Sequence, residues 1–375
     1  MEDLKITINV EKLRNLLAVV SMPIVNNAII PVMETIKFQV EDGLTLSSTS
    51  DDIGVQINAH DASVSGSGGF CIPAKKLVEM VKKLNKKGDI TISHKKGSPA
   101  HVNTQNGKYE IGVMGLDEFP NMFSPDSGDV TLNEVFSTGK LMNGLNSVVF
   151  SASAESLRPI MMGVNMEMHD NEYVFVATDT HRLAINGKFS MDDKVEYNFV
   201  IPTRAVQTLT KAIPILGPEN ITVDANTENI SFGLDNTVIT ARLRDGKYPS
   251  WRNVMPMNNP IKLSVNIKEL YNAVSRVDVF SSEATHMCTL SADGTQLTVK
   301  TNNPESSSSG VETVTLGEPV SEHVEIGFNG TLLQGILKEA NKDENMFIYL
   351  KDSKTAALMK TSNGNNTYIL MPIML

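Results

Sequence analysis

The residues with the clearest capacity for acid–base chemistry form the segment Thr178–Leu183, which reads Thr-Asp-Thr-His-Arg-Leu. Asp179 and His181 stand two residues apart, so a carboxylate and an imidazole could serve as acid and base on a small polar substrate. Neither residue has a neighbouring nucleophile, and such a cluster is also typical of a hydrogen-bonded turn after a strand. The segment therefore predicts a turn, with an active site at Asp179 and His181 as the enzymatic alternative.

Other catalytic signatures are missing from the sequence. It contains no glycine-rich phosphate loop and no nucleophile elbow, and its seven histidines include no His-x-x-x-His pair. Cys71 and Cys288 have no cysteine or histidine partners at metal-ligand spacing. We therefore expect both thiols in the core and expect neither a metal ion nor a cofactor.

Positive charge is concentrated locally in an acidic chain. The formal net charge is −10, which by itself disfavours a nucleic-acid partner because phosphates are neutralised by lysine and arginine. The segment Lys75–Lys87 nevertheless holds six lysines and one acid. This run predicts either a phosphate-binding helix or, as a plainer alternative, a solvated helix face.

Length and composition are those of a globular protein with several domains. A chain of 375 residues is long enough for two or three domains, and 41% hydrophobic with 20% charged residues is ordinary. No apolar run approaches the roughly 20 residues needed to span a membrane. The first five residues, Met1–Lys5, include two acids where a secretory signal has basic residues, so we expect a cytoplasmic protein.

The elements that position these residues repeat three times along the chain. Leu13, Leu141 and Leu270 occupy equivalent places in three amphipathic helical segments, at steps of 128 and 129 residues. A second helix is predicted to start at Pro73 and Pro202, 129 residues apart, because proline suits the first turn of a helix. Its third copy follows Ile326–Asn329, and alternating strands lie between the helices at Leu44–Leu46, Val174–Val176 and Leu297–Val299.

Proline-containing segments separate the repeats. Phe119–Asn121 and Tyr248–Ser250 stand 129 residues apart and lack periodicity, which indicates linkers. Each repeat combines helices with alternating strands, so the predicted class is α+β. The predicted domains are 1–126, 127–253 and 254–375.

Four motifs then carry a resemblance over the whole chain. Ala177–Ala184 reads Ala-Thr-Asp-Thr-His-Arg-Leu-Ala, Asp245–Pro256 contains Tyr-Pro-Ser-Trp-Arg, Ile326–Asn329 reads Ile-Gly-Phe-Asn, and Tyr368–Leu375 is mostly apolar. In this order, and on a threefold repeat of this length, they resemble the motifs of bacterial DNA sliding clamps, the beta subunits of DNA polymerase III. The resemblance implies three clamp domains, each with two inward helices and outer antiparallel sheets, in a head-to-tail homodimeric ring.

The resemblance implies a non-enzymatic processivity factor. Its partners would be double-stranded DNA, bound without sequence preference, the replicative polymerase, the clamp loader, other proteins with clamp-binding motifs, and a second copy of the chain. A positive lumen would attract phosphates while the closed ring supplies the residence time. The implied DNA-facing residues are Lys12, Arg14, Lys75, Lys82, Lys83, Lys140, Arg158, Arg204, Lys211 and Arg276.

The resemblance also implies a pocket that accepts short linear peptides, called the peptide site below. Methionine is unbranched and polarisable, so a pocket containing Met161 and Met371 could adapt to several peptides, although methionines are also ordinary core residues. Thr180 stands where family members often have glycine, and Asn253 where some have arginine. The implied peptide-site residues are Met161, Thr178, Thr180, His181, Arg182, Leu183, Pro249, Val254, Ile369, Met371, Pro372 and Ile373.

The implied subunit interface pairs an edge strand of the first domain with one of the third. Lys108, Ile111 and Val113 would lie on one side and Val279 and Phe280 on the other. Where some relatives have an acidic run, this chain has Ser306–Ser309, so we expect apolar contacts to dominate. A further alternative keeps the fold but makes the chain a scaffold that never encloses DNA.

Overall fold

The computed structural model of the protein describes residues 4–122, 124–125, 131–155, 157–169, 172–340, 344–362 and 364–374. The predicted domain boundary at 126, the first three residues and Leu375 lie outside these ranges. The described residues contain α-helices and antiparallel sheets, which confirms the α+β class. None of their helices is long and apolar enough to cross a membrane.

Over residues 4–122 the first repeat has two helices and nine strands. Its elements are β1 (Leu4–Asn9), α1 (Val10–Val20), β2 (Thr35–Val40), β3 (Leu44–Thr49), β4 (Ile53–Ala59), β5 (Ser63–Ser65), β6 (Gly68–Pro73), α2 (Ala74–Lys83), β7 (Asp89–His94), β8 (Ala100–Asn103) and β9 (Lys108–Ile111).

The second repeat has the same alternation, with eight strands among its described residues. Its elements are β10 (Leu132–Ser137), α3 (Thr138–Val149), β11 (Gly163–His169), β12 (Glu172–Thr178), β13 (Arg182–Asn186), β14 (Tyr197–Pro202), α4 (Thr203–Leu216), β15 (Asn220–Ala225), β16 (Asn229–Leu234) and β17 (Thr237–Arg242).

The third repeat contains two long strands that form one hairpin. Its elements are β18 (Ile261–Asn266), α5 (Ile267–Asp278), β19 (Met287–Asn303), β20 (Ser308–Asn329), α6 (Gly330–Glu339), β21 (Asn345–Leu350), β22 (Ala357–Thr361) and β23 (Asn366–Leu370). Short 3-10 turns are formed by Pro31–Glu34, Leu116–Glu118, Pro159–Met161 and Trp251–Val254.

The predicted helices and strands are present at all the repeated positions. Asparagine side chains cap three helices at their starts: Asn9 accepts from the main-chain nitrogens of Glu11 and Lys12, Asn266 caps α5, and Asn329 caps α6. The prediction for Pro73 and Pro202 is wrong by one position. Each proline is the last residue of a strand and immediately precedes its helix.

Two compact units divide the chain, and the second repeat contributes to both. The first unit comprises Met1–Met142 with Arg204–Leu243, and the second comprises Asn143–Thr203 with Arg244–Leu375. The first contains an eight-stranded sheet, in the order β10-β15-β16-β17-β4-β3-β2-β6, and a five-stranded sheet, β5-β1-β7-β8-β9. The second contains a ten-stranded sheet, β14-β11-β12-β13-β23-β22-β21-β18-β20-β19.

Strand pairing between repeats explains this division. β17 pairs with β4 through Thr237 and Ile57, so half of the second repeat extends a sheet of the first. β13 pairs with β23 through Ile185 and Thr367, so the other half extends the sheet of the third repeat. Sheets continuous across repeat boundaries bury edges that would otherwise be exposed.

The predicted linkers and cysteines are part of the core. Phe119 packs with Val32 and Cys71, whereas Tyr248 belongs to the core of the second unit. Both thiols are buried and unoxidised, as predicted, and burial raises the pKa of Cys71 to about 11 and that of Cys288 to about 12. The thiolates are therefore scarce at neutral pH, and both cysteines are inert core residues.

Candidate functional site: a peptide surface, basic helices and two strand edges

The Thr178–Leu183 segment is a tightly bonded turn between β12 and β13. The Asp179 carboxylate accepts hydrogen bonds from the main-chain nitrogens of His181 and Arg182, at 3.0 and 2.9 Å. Thr178 Oγ1 donates to the Arg182 carbonyl at 2.7 Å and accepts from the Thr180 nitrogen. Asp179 thus bonds to the main chain of His181, and the segment has the predicted turn structure.

Arg182 is held inside the second unit. Its Nε pairs with the Asp179 carboxylate at 3.0 Å, and another guanidinium nitrogen donates to the Phe150 carbonyl at 2.6 Å. The guanidinium also lies 5.0 Å from the centre of the Phe150 ring. The Arg182 side chain is only 14% exposed. It therefore stabilises the turn, and its charge is paired with Asp179 instead of facing solvent.

The turn lies beside the segment Tyr368–Met374. In the β13–β23 ladder Leu183 is opposite Ile369, and beyond it the Met371 nitrogen donates to the His181 carbonyl at 2.9 Å. The Ile373 nitrogen donates to the Gly327 carbonyl at 2.8 Å. Main-chain bonds therefore fix the two segments next to each other.

The second linker packs against the same strands. A buried cluster holds Tyr248 and Trp251 together with Leu183 and Ile369, and the half-buried Ile160 and Met255 contact it. Burial raises the pKa of Tyr248 above its ordinary value. Ile160 is the neighbour of Met161, and Met255 is the neighbour of Val254, so these predicted residues approach the same cluster through adjacent positions.

Glu167 fixes this linker, and sequence analysis missed it. Its carboxylate accepts from Trp251 Nε1 at 2.9 Å and from Arg252 at 2.8 Å, and Asn165 also donates to it. The Arg252 guanidinium stacks 4.1 Å from the centre of the Trp251 ring. The available signal was a glutamate between two methionines, Met166 and Met168, within a strand, because buried carboxylates need partners.

The peptide-site residues form a buried floor and an exposed rim. Met161, Thr178, Leu183 and Ile369 are buried, whereas Thr180, His181, Val254 and Met371 are exposed. Arg182, Pro249, Pro372 and Ile373 are half-buried. The side chains of Val254, Met371 and the neighbouring Met374 are 57%, 47% and 72% exposed. Exposed apolar side chains that lie close together are typical of an interaction surface.

The Thr180 backbone is in the left-handed region, with a φ of 78°. A side chain with a Cβ is disfavoured there, whereas glycine is not. A glycine would therefore suit this position better than threonine. Asn253, the other departure, is exposed within the 3-10 turn Trp251–Val254.

Four of the predicted DNA-facing residues already have acceptors. Lys12 pairs with Asp61 at 2.8 Å, and Arg276 forms a two-point pair with Glu312 that raises the pKa of the guanidinium and lowers that of the carboxyl. Arg14 donates to the Val81 and Leu84 carbonyls at the end of α2. Arg204 pairs with Asp52 at 2.9 Å and also donates to the Pro23 carbonyl.

These contacts give two of the arginines a structural role. Arg14 caps the helix that carries Lys82 and Lys83, and Arg204 joins α4 to the loops at Pro23 and Asp52. The remaining six candidates are exposed, and within the described ranges no ion pair engages them: Lys75, Lys82, Lys83, Lys140, Arg158 and Lys211.

The predicted interface residues of the first domain lie on or just after the outer strand β9, and those of the third domain lie in the turn that follows α5. β9 is the outer strand of its sheet, and on it Tyr109 is 42% exposed while Ile111 is buried within its own unit. Lys108 is exposed and Val113 half-buried. Tyr109 was missed in the sequence, although strand alternation places it on the same face as Ile111.

The second edge belongs to β20. Its residues Ser308–Thr315 pair with β19 alone among the described strands, so one side of this stretch is free. Phe280 lies against Gly310 on this strand, where an added Cβ would come within 3.2 Å of its ring. Val279, Phe280 and Val311 are 77%, 46% and 66% exposed and form an apolar border to the free edge.

Comparison with known proteins identifies the family. Three family models match in order: the N-terminal domain of the DNA polymerase III beta subunit over residues 4–123, the central domain over 136–250 and the C-terminal domain over 252–374. The chain belongs to the DNA polymerase III beta subunit family. It has three clamp domains, and the expected class of non-catalytic processivity factor is confirmed, whereas the small-substrate enzyme finds no support.

Individual relatives match over nearly all of their lengths. The beta sliding clamp of Haemophilus influenzae is 27% identical over 354 residues, covering 93% of this chain and 94% of the relative. That of Synechococcus elongatus is 26% identical over 382 residues, covering 99% and 100%. The crystal structure of a DnaN sliding clamp from Bartonella birtlesii, bound to griselimycin, superposes with a TM-score of 0.91 at 26% identity and full coverage of both chains.

Proposed function

We propose that two copies of this chain close head to tail into a ring around duplex DNA and tether the replicative polymerase to it. The observation that carries the proposal is the ordered match of all three domain models along the chain. Replication of a bacterial chromosome takes place in the cytoplasm, which is therefore the proposed location. The other proposed partners are the clamp loader and proteins with clamp-binding motifs.

The exposed lysines support weak contact with DNA. Lys82 and Lys83 lie in the last turn of α2, and Lys140 and Lys211 lie on α3 and α4. Lysine binds phosphate as a point charge and carries no sequence information. In a chain of net charge −10 such contacts are few, so the topological link rather than affinity would keep the ring on DNA.

The two free strand edges support the subunit interface. β9 presents Tyr109 with Lys108, and β20 presents Val311 beside Phe280. Antiparallel or parallel pairing of these edges would satisfy their main-chain groups and bury the apolar side chains. Each copy would contribute one edge of each kind, which is a heterologous contact that closes after two subunits.

The peptide site supports the recruitment of partners. Its floor is fixed by strand pairing and by the Glu167 network, while its rim contains flexible methionines. A rigid floor lowers the entropy cost of binding, and methionines adapt to different side chains. Short apolar peptides from the polymerase and the clamp loader are the proposed ligands.

Retention on circular DNA tests the proposal. The dimer would be loaded on nicked circular plasmid with its clamp loader, and bound protein would be followed by gel filtration before and after the plasmid is cut. We expect stable retention on the circle and rapid loss from the linear form. Equal absence from both forms would instead favour the scaffold that never encloses DNA, and retention that survives cutting would contradict a topological link.

A further inference from the structure

A half-buried carboxylate joins three elements of the third repeat at one point. Asp278 is the last residue of α5, and its side chain is 11% exposed. Oδ1 accepts from Ser281 Oγ at 2.8 Å, and Oδ2 accepts from Gln334 Nε2 at 2.8 Å. Thr331 Oγ1 lies 3.5 Å from Oδ2, so both oxygens have partners.

The partners of Asp278 are themselves held in place. The Ser275 hydroxyl lies 3.1 Å from Gln334 Oε1, which leaves the Gln334 amide nitrogen directed at the carboxylate. α6 starts at Gly330, and the start of a helix carries partial positive charge that favours a nearby anion. A Cβ at Gly330 would come within 2.7 Å of Asp278 Oδ1, so only glycine permits this approach.

Two titratable side chains, His286 and Cys288, lie close to the carboxylate. His286 Nδ1 lies 3.4 Å from Oδ1, and Cys288 Sγ lies 3.9 Å from it. The pKa of the thiol is raised, by burial first and then by the neighbouring carboxylate, so it acts as a weak donor rather than a nucleophile. The arrangement is therefore a hydrogen-bonded cluster and not a reactive site. It is called the hub below and consists of Asp278, Ser281, His286, Cys288, Thr331 and Gln334.

The hub lies directly before two exposed apolar residues of the third repeat. Val279 and Phe280 follow Asp278 in the chain, and Ser281 closes the turn by bonding back to both the Asp278 carbonyl and its carboxylate. The Phe280 nitrogen donates to the Val277 carbonyl at 3.0 Å. The turn thus leaves α5 in one fixed direction, with the Phe280 ring against Gly310 of β20.

We propose that Asp278 is a positioning residue for subunit association: it holds the Val279–Phe280 turn against the free edge of β20 before the second copy binds. The inference rests on the proposed head-to-tail dimer. Without the hub the turn could adopt several conformations, and association would have to order it again. Asp278 would then affect dimer affinity through Phe280 and not by touching the partner.

The Asp278→Asn variant tests this role, because asparagine keeps the size of the side chain but retains only one acceptor oxygen. Dimer dissociation constants would be measured by sedimentation velocity in four proteins: wild type, Asp278→Asn, Phe280→Ala and the double variant. We expect Asp278→Asn to weaken the dimer about tenfold, or about 1.4 kcal/mol. In the Phe280→Ala background it should have almost no further effect. Asp293→Asn, an exposed carboxylate on β19, is the matched control and should leave the dimer unchanged.

The pattern of the four constants decides the outcome. An equal loss in both backgrounds would overturn the positioning role, because simple destabilisation of the domain adds independently of Phe280. An unchanged dimer in Asp278→Asn would overturn it as well. Thermal unfolding of each variant verifies that all four proteins are folded at the temperature at which the dissociation constants are measured. A Phe280→Asp protein that remains dimeric would contradict the proposed interface itself. If Phe280→Asp is monomeric but Asp278→Asn dimerises as tightly as wild type, only the positioning role of Asp278 is rejected.

Discussion

The main-chain nitrogen of Met371 lies 2.9 Å from the carbonyl oxygen of His181 and donates a hydrogen bond to it. This bond continues the pairing of β13 with β23 by one residue beyond Leu370 and carries the chain along the Thr178–Leu183 turn. The side chain of Met371 remains 47% exposed beside it. The relationship matters because the segment and the turn then present one surface instead of two independent ones.

Truncation after Leu370 should abolish peptide binding without affecting the fold. It removes the Met371 bond to His181 and the Ile373 bond to Gly327, together with three side chains of the peptide site. Each such side chain contributes roughly 1.5–3 kcal/mol when fully buried by a ligand. A micromolar complex has only about 8 kcal/mol in total, so the loss should be complete.

Fluorescence anisotropy with a labelled peptide from the polymerase tail measures this effect, with light scattering on the same sample to verify the dimer. A shorter truncation that ends at Ile373 keeps both main-chain bonds and serves as the control. Unchanged affinity in a dimeric protein that ends at Leu370 would locate the peptide site elsewhere.

Thr180→Gly should stabilise the protein slightly. The φ of 78° costs a residue with a Cβ about 1–2 kcal/mol, and the greater flexibility of glycine in the unfolded chain offsets about half of that. We expect the midpoint of the local thermal transition to rise by about 2 °C. Thr227→Gly, in an exposed turn with ordinary φ, should lower it instead. A fall of similar size in both variants would mean that Thr180 is not strained.

Much of the fold could be predicted because each repeat contains the same local signals. The helix periodicity at Leu13, Leu141 and Leu270 depends on neighbouring residues only. The pairing of β17 with β4 could not be predicted, because the partners are far apart in the chain and no local signal specifies which strands become neighbours.

The candidate sites also combine features that local sequence predicts with features that depend on distant segments. The turn at Asp179 follows from local sequence, since aspartate readily bonds to the main chain two and three residues on. Burial of Ile111 and exposure of Tyr109 depend on which end of β9 the rest of the unit covers. The acceptors of Arg14 and Arg204 likewise come from distant segments, so sequence could not separate these arginines from the free lysines.

Reversing Lys82 and Lys83 to glutamate should shorten retention on circular DNA and lower processivity several-fold, with the dimer intact. Both side chains are exposed, and each lost phosphate contact should reduce the salt dependence of binding by about 0.9 in the logarithmic slope. Lys95→Glu with Lys96→Glu makes the same charge change in a turn after β7 and should have little effect. If both pairs behave alike, only the overall charge matters and α2 does not face DNA.

Phe280→Asp should give folded monomers. The ring is 46% exposed next to a free strand edge, and a carboxylate there would have to lose its hydration when a second copy binds. Exposed ion pairs contribute only about 0–1 kcal/mol each, so they cannot compensate. Light scattering gives the mass directly, and Val135→Asp, another exposed apolar position, should remain dimeric. A dimeric Phe280→Asp protein with normal affinity would refute the interface.

Tyr368→Phe should leave stability at pH 7 unchanged or slightly higher, and it should make the protein more tolerant of alkaline pH. The Tyr368 side chain is fully buried at an edge-to-face contact with Phe150, and its hydroxyl has no hydrogen-bond partner among the described residues. Removing an unsatisfied buried hydroxyl costs little because its desolvation penalty disappears with it.

Burial raises the pKa of Tyr368 above its ordinary value of 10.0. Above pH 10 the unfolded chain loses this proton while the folded protein keeps it, so stability is full below pH 10 and falls as pH rises. One such tyrosine accounts for about 1.4 kcal/mol per pH unit. Urea unfolding of the second unit at pH 9 and pH 11 should therefore show a smaller loss in Tyr368→Phe than in wild type, with Tyr349→Phe as the control. Identical losses in all three proteins would show that Tyr368 ionises as easily in the folded state as in the unfolded chain.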